Sequence, residues 1–204
     1  MTMKPWDSRI AHFFIRPFHR LPIHPNFVTT LSMVASVASG ICFAMATPVL
    51  IIIAPALYIL GNILDHADGE LARLTGKSST FGHYYDHVAG AIGYLSLFIG
   101  LGIGLRGEAL GAYAIPFGIT AGVASVLTMG IRLRIEARSG VCAHDQPSFA
   151  GFEVEDFMYV VAPFTWLGYR DVFLTLAAVG STISLLITLR AMYQYDKKSK
   201  SATV

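Results

Sequence analysis

Residues Pro48–Gly90 read PVLIIIAPALYILGNILDHADGELARLTGKSSTFGHYYDHVAG, an uncharged apolar run leading directly into a cluster of acids. The run Pro48–Leu64 carries no charge and is long enough to cross a hydrocarbon core of about 30 Å. Asp65 and Asp68 follow it, three residues apart, so on a continuing helix they share one face. A short polar connector then folds the chain back, and Asp86 stands one turn into the next apolar stretch. Two neighbouring helices therefore aim three carboxylates at one point, at one end of the membrane rather than at its midplane. Uncompensated, the three would repel one another. A divalent cation resolves the conflict, and an all-oxygen set selects magnesium, manganese or calcium over zinc or copper. Gly69, Ala72 and Gly82 leave the helix surfaces bare, so a bulky phosphorylated ligand can approach, and Arg73 can neutralise a phosphate. Metal and phosphate together make a phosphoryl-transfer arrangement. In a plainer reading Asp65 and Asp68 cap a helix end in water beside Arg73; Asp86 and the glycines at these spacings weigh against it.

Working outward, the rest of the chain has the same apolar character. Of 204 residues, 54% are hydrophobic and 14% charged, against roughly a quarter charged in a soluble domain. Apolar stretches predict six membrane spans: Phe27–Thr47, Pro48–Leu64, Gly82–Leu105, Leu110–Ile131, Phe157–Tyr169 and Val172–Met192. The fifth is short and contains Pro163. Gly90, Gly93, Gly100, Gly102 and Gly104 suit close helix packing in lipid. Thirteen of the fifteen Lys and Arg residues fall in the termini and in two connectors on one side; only Arg106 and Arg170 fall on the other. That bias predicts cytoplasmic termini and an acidic cluster near the cytoplasmic face. It also accounts for the net charge of +2 without nucleic-acid binding. A transporter would spread its carboxylates through the membrane at midplane depth, so their clustering at one end disfavours an ion path.

The expected organisation is all-α. An N-terminal segment (1–26) precedes one membrane domain (27–193) and a basic cytoplasmic tail (194–204). Within the first segment, Trp6–Arg20 interleaves Ile10, Phe13, Phe14, Ile15 and Phe18 with Arg9, Arg16 and Arg20, as an amphipathic helix on the cytoplasmic leaflet does. No secretory signal or internal repeat is evident. Cys42 and Cys142 form neither a disulfide framework nor a zinc set.

The acidic stretch resembles the signature of the CDP-alcohol phosphatidyltransferases, D-x2-D-G-x2-A-R-x8-G-x3-D-x3-D. Asp65, Asp68, Gly69, Ala72, Arg73, Gly82 and Asp86 match at the right spacing. Upstream, Pro25, Asn26 and Thr29 resemble the family's P-N-x-x-T at the start of its first span. The resemblance implies a membrane-embedded transferase of phospholipid biosynthesis, in which an acceptor hydroxyl attacks the phosphorus bearing the CDP donor's alcohol and CMP is released. It implies that Asp65, Asp68 and Asp86 bind Mg2+ or Mn2+, one or two ions, and that Gly69, Ala72, Arg73 and Gly82 accommodate the nucleotide. CDP-diacylglycerol is the expected donor, a homodimer the expected assembly, and a bacterial inner membrane the expected location.

The pattern's last position departs from the family: the chain has Gly90 where an aspartate is expected. In the family that aspartate helps bind metal and serves as base toward the acceptor hydroxyl. Four readings stay open. His83 lies three before Asp86 and shares its helical face, His87 lies four beyond His83, and either can supply a base. Glu153, Glu155 and Asp156 can reach the site, although a helix N-terminus also attracts such charges. An acceptor that is already ionised, such as a phosphate held by Arg132, Arg134 and Arg138, needs no base. Finally, the chain can bind CDP-lipid without transferring it.

Overall fold

The computed structural model describes residues 23–139 and 158–201, with side chains described for 23–138 and 158–197. Six α-helices make up the described residues: α1 (Pro25–Met45), α2 (Pro48–Thr75), α3 (Thr80–Gly104), α4 (Ala114–Ser139), α5 (Val161–Trp166) and α6 (Arg170–Ser201), with a 3-10 turn at Gly111–Tyr113. Five of these, all but α5, are long and apolar enough to cross a membrane. The all-helical membrane architecture expected from the sequence is thus present. The amphipathic segment Trp6–Arg20 lies outside the described residues, as do Cys142 and the acids Glu153, Glu155 and Asp156. Of the expected fifth span, Phe157–Tyr169, only Phe157 lies outside the described residues, and the structure gives the rest the six-residue helix α5, too short to cross a membrane.

Local chemistry explains the helix ends. His24 caps α1 by accepting from the Asn26 amide at 3.2 Å, and Pro25 occupies the first turn, where a missing N–H costs nothing. Thr47 caps α2 ahead of Pro48 in the same way. The helix does not stop where its apolar residues stop at Leu64; it runs on through the acids to Thr75. It ends at Gly76, whose φ of 65° is open to glycine. Three residues later Ser79 caps α3, accepting from Gly82 at 3.0 Å. This tight reversal returns Asp86 toward Asp65 and Asp68.

The helices pack in the order α2–α1–α3–α4–α6, and α5 bridges α6 back to α2. Helix α1 therefore lies between α2 and α3, which meet each other only slightly. Its contact with α3 is unusually close: a Cβ at Gly100 would lie 2.1 Å from the Gly40 carbonyl oxygen. Small residues at such crossings let backbones approach where lipid supplies no hydrophobic drive. The main core gathers Phe43, Tyr58, Leu97, Phe98, Leu101 and Phe173. A smaller cluster of Val28, Ala67 and Leu71, with Ile23 and Leu64 against it, fixes α1 to the acidic end of α2. At the opposite end, Arg170 pairs with Glu108 at 2.6 Å and the Trp166 indole donates to the Ile52 carbonyl at 3.1 Å.

Candidate metal centre

Asp65 lies 17 residues into α2, about 25 Å along its axis, and Asp86 lies six residues into α3. Both positions fall at the same end of the bundle. One carboxylate oxygen from each of Asp65, Asp68 and Asp86 lies within 4.8 Å of the other two. Three hard oxygens at that spacing, with Asp68 buried, form a donor set that fits a divalent cation. An oxygen of Asp86, Oδ1, is buried with no hydrogen-bond partner. Such a group is costly to bury unless something binds it. The three aspartates expected from the sequence are therefore brought together.

The intervening helix completes the shell around them. Thr29 of α1 donates its hydroxyl to Asp68 Oδ2, and Ser32, one turn on, reaches Asp65 Oδ1 at 3.5 Å. Nearby, Thr30 and Tyr85 share a hydrogen bond of 2.8 Å that ties α1 to α3. Hydrogen bonds of this kind orient ligands before a cation arrives.

Two cavities flank the carboxylates, with Asp86 on the wall of both. The first, of about 220 Å³, is bordered by Asn26, Thr29, Asp68, Gly69, Ala72, Arg73, Lys77, Ser79, Gly82 and His83. It thus collects all four residues expected to meet a phosphorylated ligand: Gly69, Ala72, Arg73 and Gly82. Arg73 is held by Glu70, with its Nε and Nη2 at 3.1 and 2.7 Å from Glu70 Oε2. Its Nη1 would sit 3.4 Å from a Cβ at position 69, so Gly69 lets the guanidinium lie close over the helix. A Cβ at Gly82 would crowd Ser79 Oγ at 3.1 Å and Asn26 Oδ1 at 3.3 Å.

The second cavity, of about 170 Å³, is bordered by Asp65, Asp86, His87, Gly90, Met129 and polar residues of α1, α2 and α3. Gly90 leaves open space there: the nearest atom to a Cβ would be Met129 Sδ, 3.9 Å away. His83 borders the first cavity and His87 the second, and their rings meet edge to face with centroids 4.5 Å apart. The His87 Nδ1 faces the His83 carbonyl at 2.9 Å; a carbonyl only accepts, so Nδ1 carries the proton. Arg132, Arg134 and Arg138 border neither cavity, and Arg138 pairs with Asp196 at 2.9 Å.

Sequence reasoning missed Glu70, Lys77, Ser79 and Ser32. A serine cap before a helix was recognisable for Ser79. Nothing in the sequence distinguishes Glu70 from an ordinary helix charge, yet it is buried. Ser32 is an ordinary hydroxyl in an apolar span, and nothing local distinguishes it.

Comparison with curated sequences gives no significant match. Among solved structures, the chain is similar to the phosphatidylinositol phosphate synthase of Mycobacterium tuberculosis with CDP-DAG bound. The two are 22% identical with a TM-score of 0.69, over 92% of this chain and 94% of that one. The same synthase in complex with manganese and citrate gives 23% identity and a TM-score of 0.70, over 92% and 88%. These likenesses concern the fold. The family model for CDP-alcohol phosphatidyltransferases matches residues 22–184, from the start of α1 into α6 and including all three aspartates, and the chain belongs to that family of transferases.

Proposed function

We propose that the chain transfers a phosphatidyl or similarly substituted phosphoryl group from a CDP-alcohol, CDP-diacylglycerol in the first instance, to an acceptor alcohol, releasing CMP. One observation carries this reading: three carboxylate oxygens lie within 4.8 Å of one another, and two of those aspartates, Asp68 and Asp86, border a cavity with two cations, Arg73 and Lys77, and three bare positions, Gly69, Ala72 and Gly82. Asp65, Asp68 and Asp86 would hold Mg2+ or Mn2+, which supplies charge neutralisation on the pyrophosphate and the departing CMP. Arg73, braced by Glu70, and Lys77 bind phosphate oxygens. Gly69 and Gly82 admit the nucleotide against the helix backbones. On the far side of Asp86, His87 has its Nδ1–H committed to the His83 carbonyl, so Nε2 is left to accept a hydrogen bond from the incoming hydroxyl. His83, on the donor side, lacks that position.

The same reading includes six spans with both termini cytoplasmic, in a bacterial inner membrane. The basic residues support that orientation. A homodimer, which the family resemblance implies, belongs to the same reading.

The test is CMP release by the purified protein with CDP-diacylglycerol, Mg2+ or Mn2+, and a panel of alcohols and phosphorylated alcohols. Release that EDTA abolishes and excess Mg2+ restores is the expected result. CDP-lipid binding without CMP from any acceptor would instead leave a family member that binds its nucleotide lipid silently. In that event, release gained by Gly90→Asp would identify the missing carboxylate as the cause.

A further inference from the structure

We propose that the cavity beside Gly90 is the acceptor subsite and that it selects an uncharged alcohol of about six carbons or fewer over a phosphorylated one. The inference rests on the transfer reaction proposed above and deepens it by assigning the acceptor's chemical class.

Position comes first. The cavity shares Asp86 with the donor-side cavity and adds Asp65, so its occupant reaches the carboxylate centre through a cavity that Arg73 and Lys77 do not border. An acceptor there attacks phosphorus away from the nucleotide, as in-line displacement requires. Its hydroxyl oxygen bonds to the phosphorus that carries the donor's alcohol. The bond from that phosphorus to the bridging oxygen breaks, CMP departs with the electron pair, and the hydroxyl proton is lost to water. The products are one phosphodiester, CMP and one proton.

Charge decides the class. Ser32, Ser36, Asn62 and Tyr94 give the cavity neutral hydrogen-bonding groups, and no lysine or arginine among the described residues borders it. Its charged groups are Asp65 and Asp86. With those carboxylates taken up by the shared cation, a phosphorylated alcohol brings a charge of about −1.5 to −2 into a cavity bordered by no lysine or arginine among the described residues. A polyol brings hydroxyls that match the lining.

Size sets the limit. An apolar cavity of about 150 Å³ holds benzene, so about 170 Å³ takes a skeleton of that order. Gly90 contributes directly, because a carboxylate at that position would occupy the open space beside Met129 and add a further negative charge.

Kinetics on the full chain in detergent, with CDP-diacylglycerol and Mg2+, test the assignment using glycerol, myo-inositol and their monophosphates. At least a tenfold higher kcat/KM for the uncharged alcohols is expected. Gly90→Leu fills the cavity without touching the packed helix faces. It should lower kcat/KM for the alcohol at least tenfold and leave CDP-diacylglycerol affinity within about twofold, while Gly90→Ala stays near wild type. Preference for the phosphorylated alcohols, or indifference to Gly90→Leu, overturns the proposal. If no alcohol is consumed, the transfer reading fails separately and equilibrium dialysis of radiolabelled myo-inositol decides this one. Binding abolished by Gly90→Leu supports the subsite, and absence of binding overturns it.

Discussion

At the scale of single residues, the site depends on groups that make sense only as a set. Asp65, Asp68 and Asp86 are costly neighbours without a cation, and Thr29 fixes the orientation of Asp68. Thr29→Val keeps the volume and removes the hydroxyl. It should weaken Mg2+ affinity about tenfold, measured by calorimetric titration, with little effect on thermal unfolding in metal-free detergent. The aspartates were legible because their spacing on a helix and their return across a short connector are facts of sequence order. Glu70 was not: an exposed-looking acid next to an arginine is usually a solvated pair, and only the folded chain reveals that its side chain is buried beneath Arg73. The cavity at Gly90 was equally hidden, since Ser36, Asn62 and Tyr94 come from three different helices.

At the scale of elements, hydropathy located the spans but not the helix ends. Helix α2 continues to Thr75, well past the last apolar residue of its run, because a helix once formed propagates through polar residues until a breaker such as Gly76 stops it. Reading the acids as a feature of two adjoining helices was also incomplete. Helix α1 lies between α2 and α3 and lends its hydroxyls to the carboxylates, which no spacing within residues 64–90 announces. The α1–α3 crossing carries the geometry of the site, and it tolerates no side chain at Gly100. Gly100→Val should destabilise the protein by about 1–3 kcal/mol or more, seen as a lower melting temperature in detergent. Gly130→Ala, where a Cβ meets open space, should melt as wild type does. Equal melting of the two variants would contradict the close crossing.

At the scale of the whole molecule, charge predicts the orientation, and the proposed chemistry follows from where the acids lie in the bundle. Thirteen of fifteen basic residues on one side were readable from sequence, and the bundle puts the carboxylate cluster at the end where Lys77 and Arg73 lie. A single cysteine at Lys77 in a background lacking Cys42 and Cys142 should react with a membrane-impermeant maleimide only after the membrane is opened. One at Arg106 should react in intact spheroplasts. The reverse pattern would invert the protein and put its nucleotide cavity on the wrong side for a cytoplasmic CDP-lipid headgroup. The acids themselves give the most direct check, because every proposed step passes through their shared cation site. Titration of Mn2+ against wild type and Asp68→Asn, followed by electron paramagnetic resonance, should show binding that the variant weakens at least tenfold while its metal-free melting temperature holds or rises. Unchanged Mn2+ affinity in a folded Asp68→Asn protein would contradict the account.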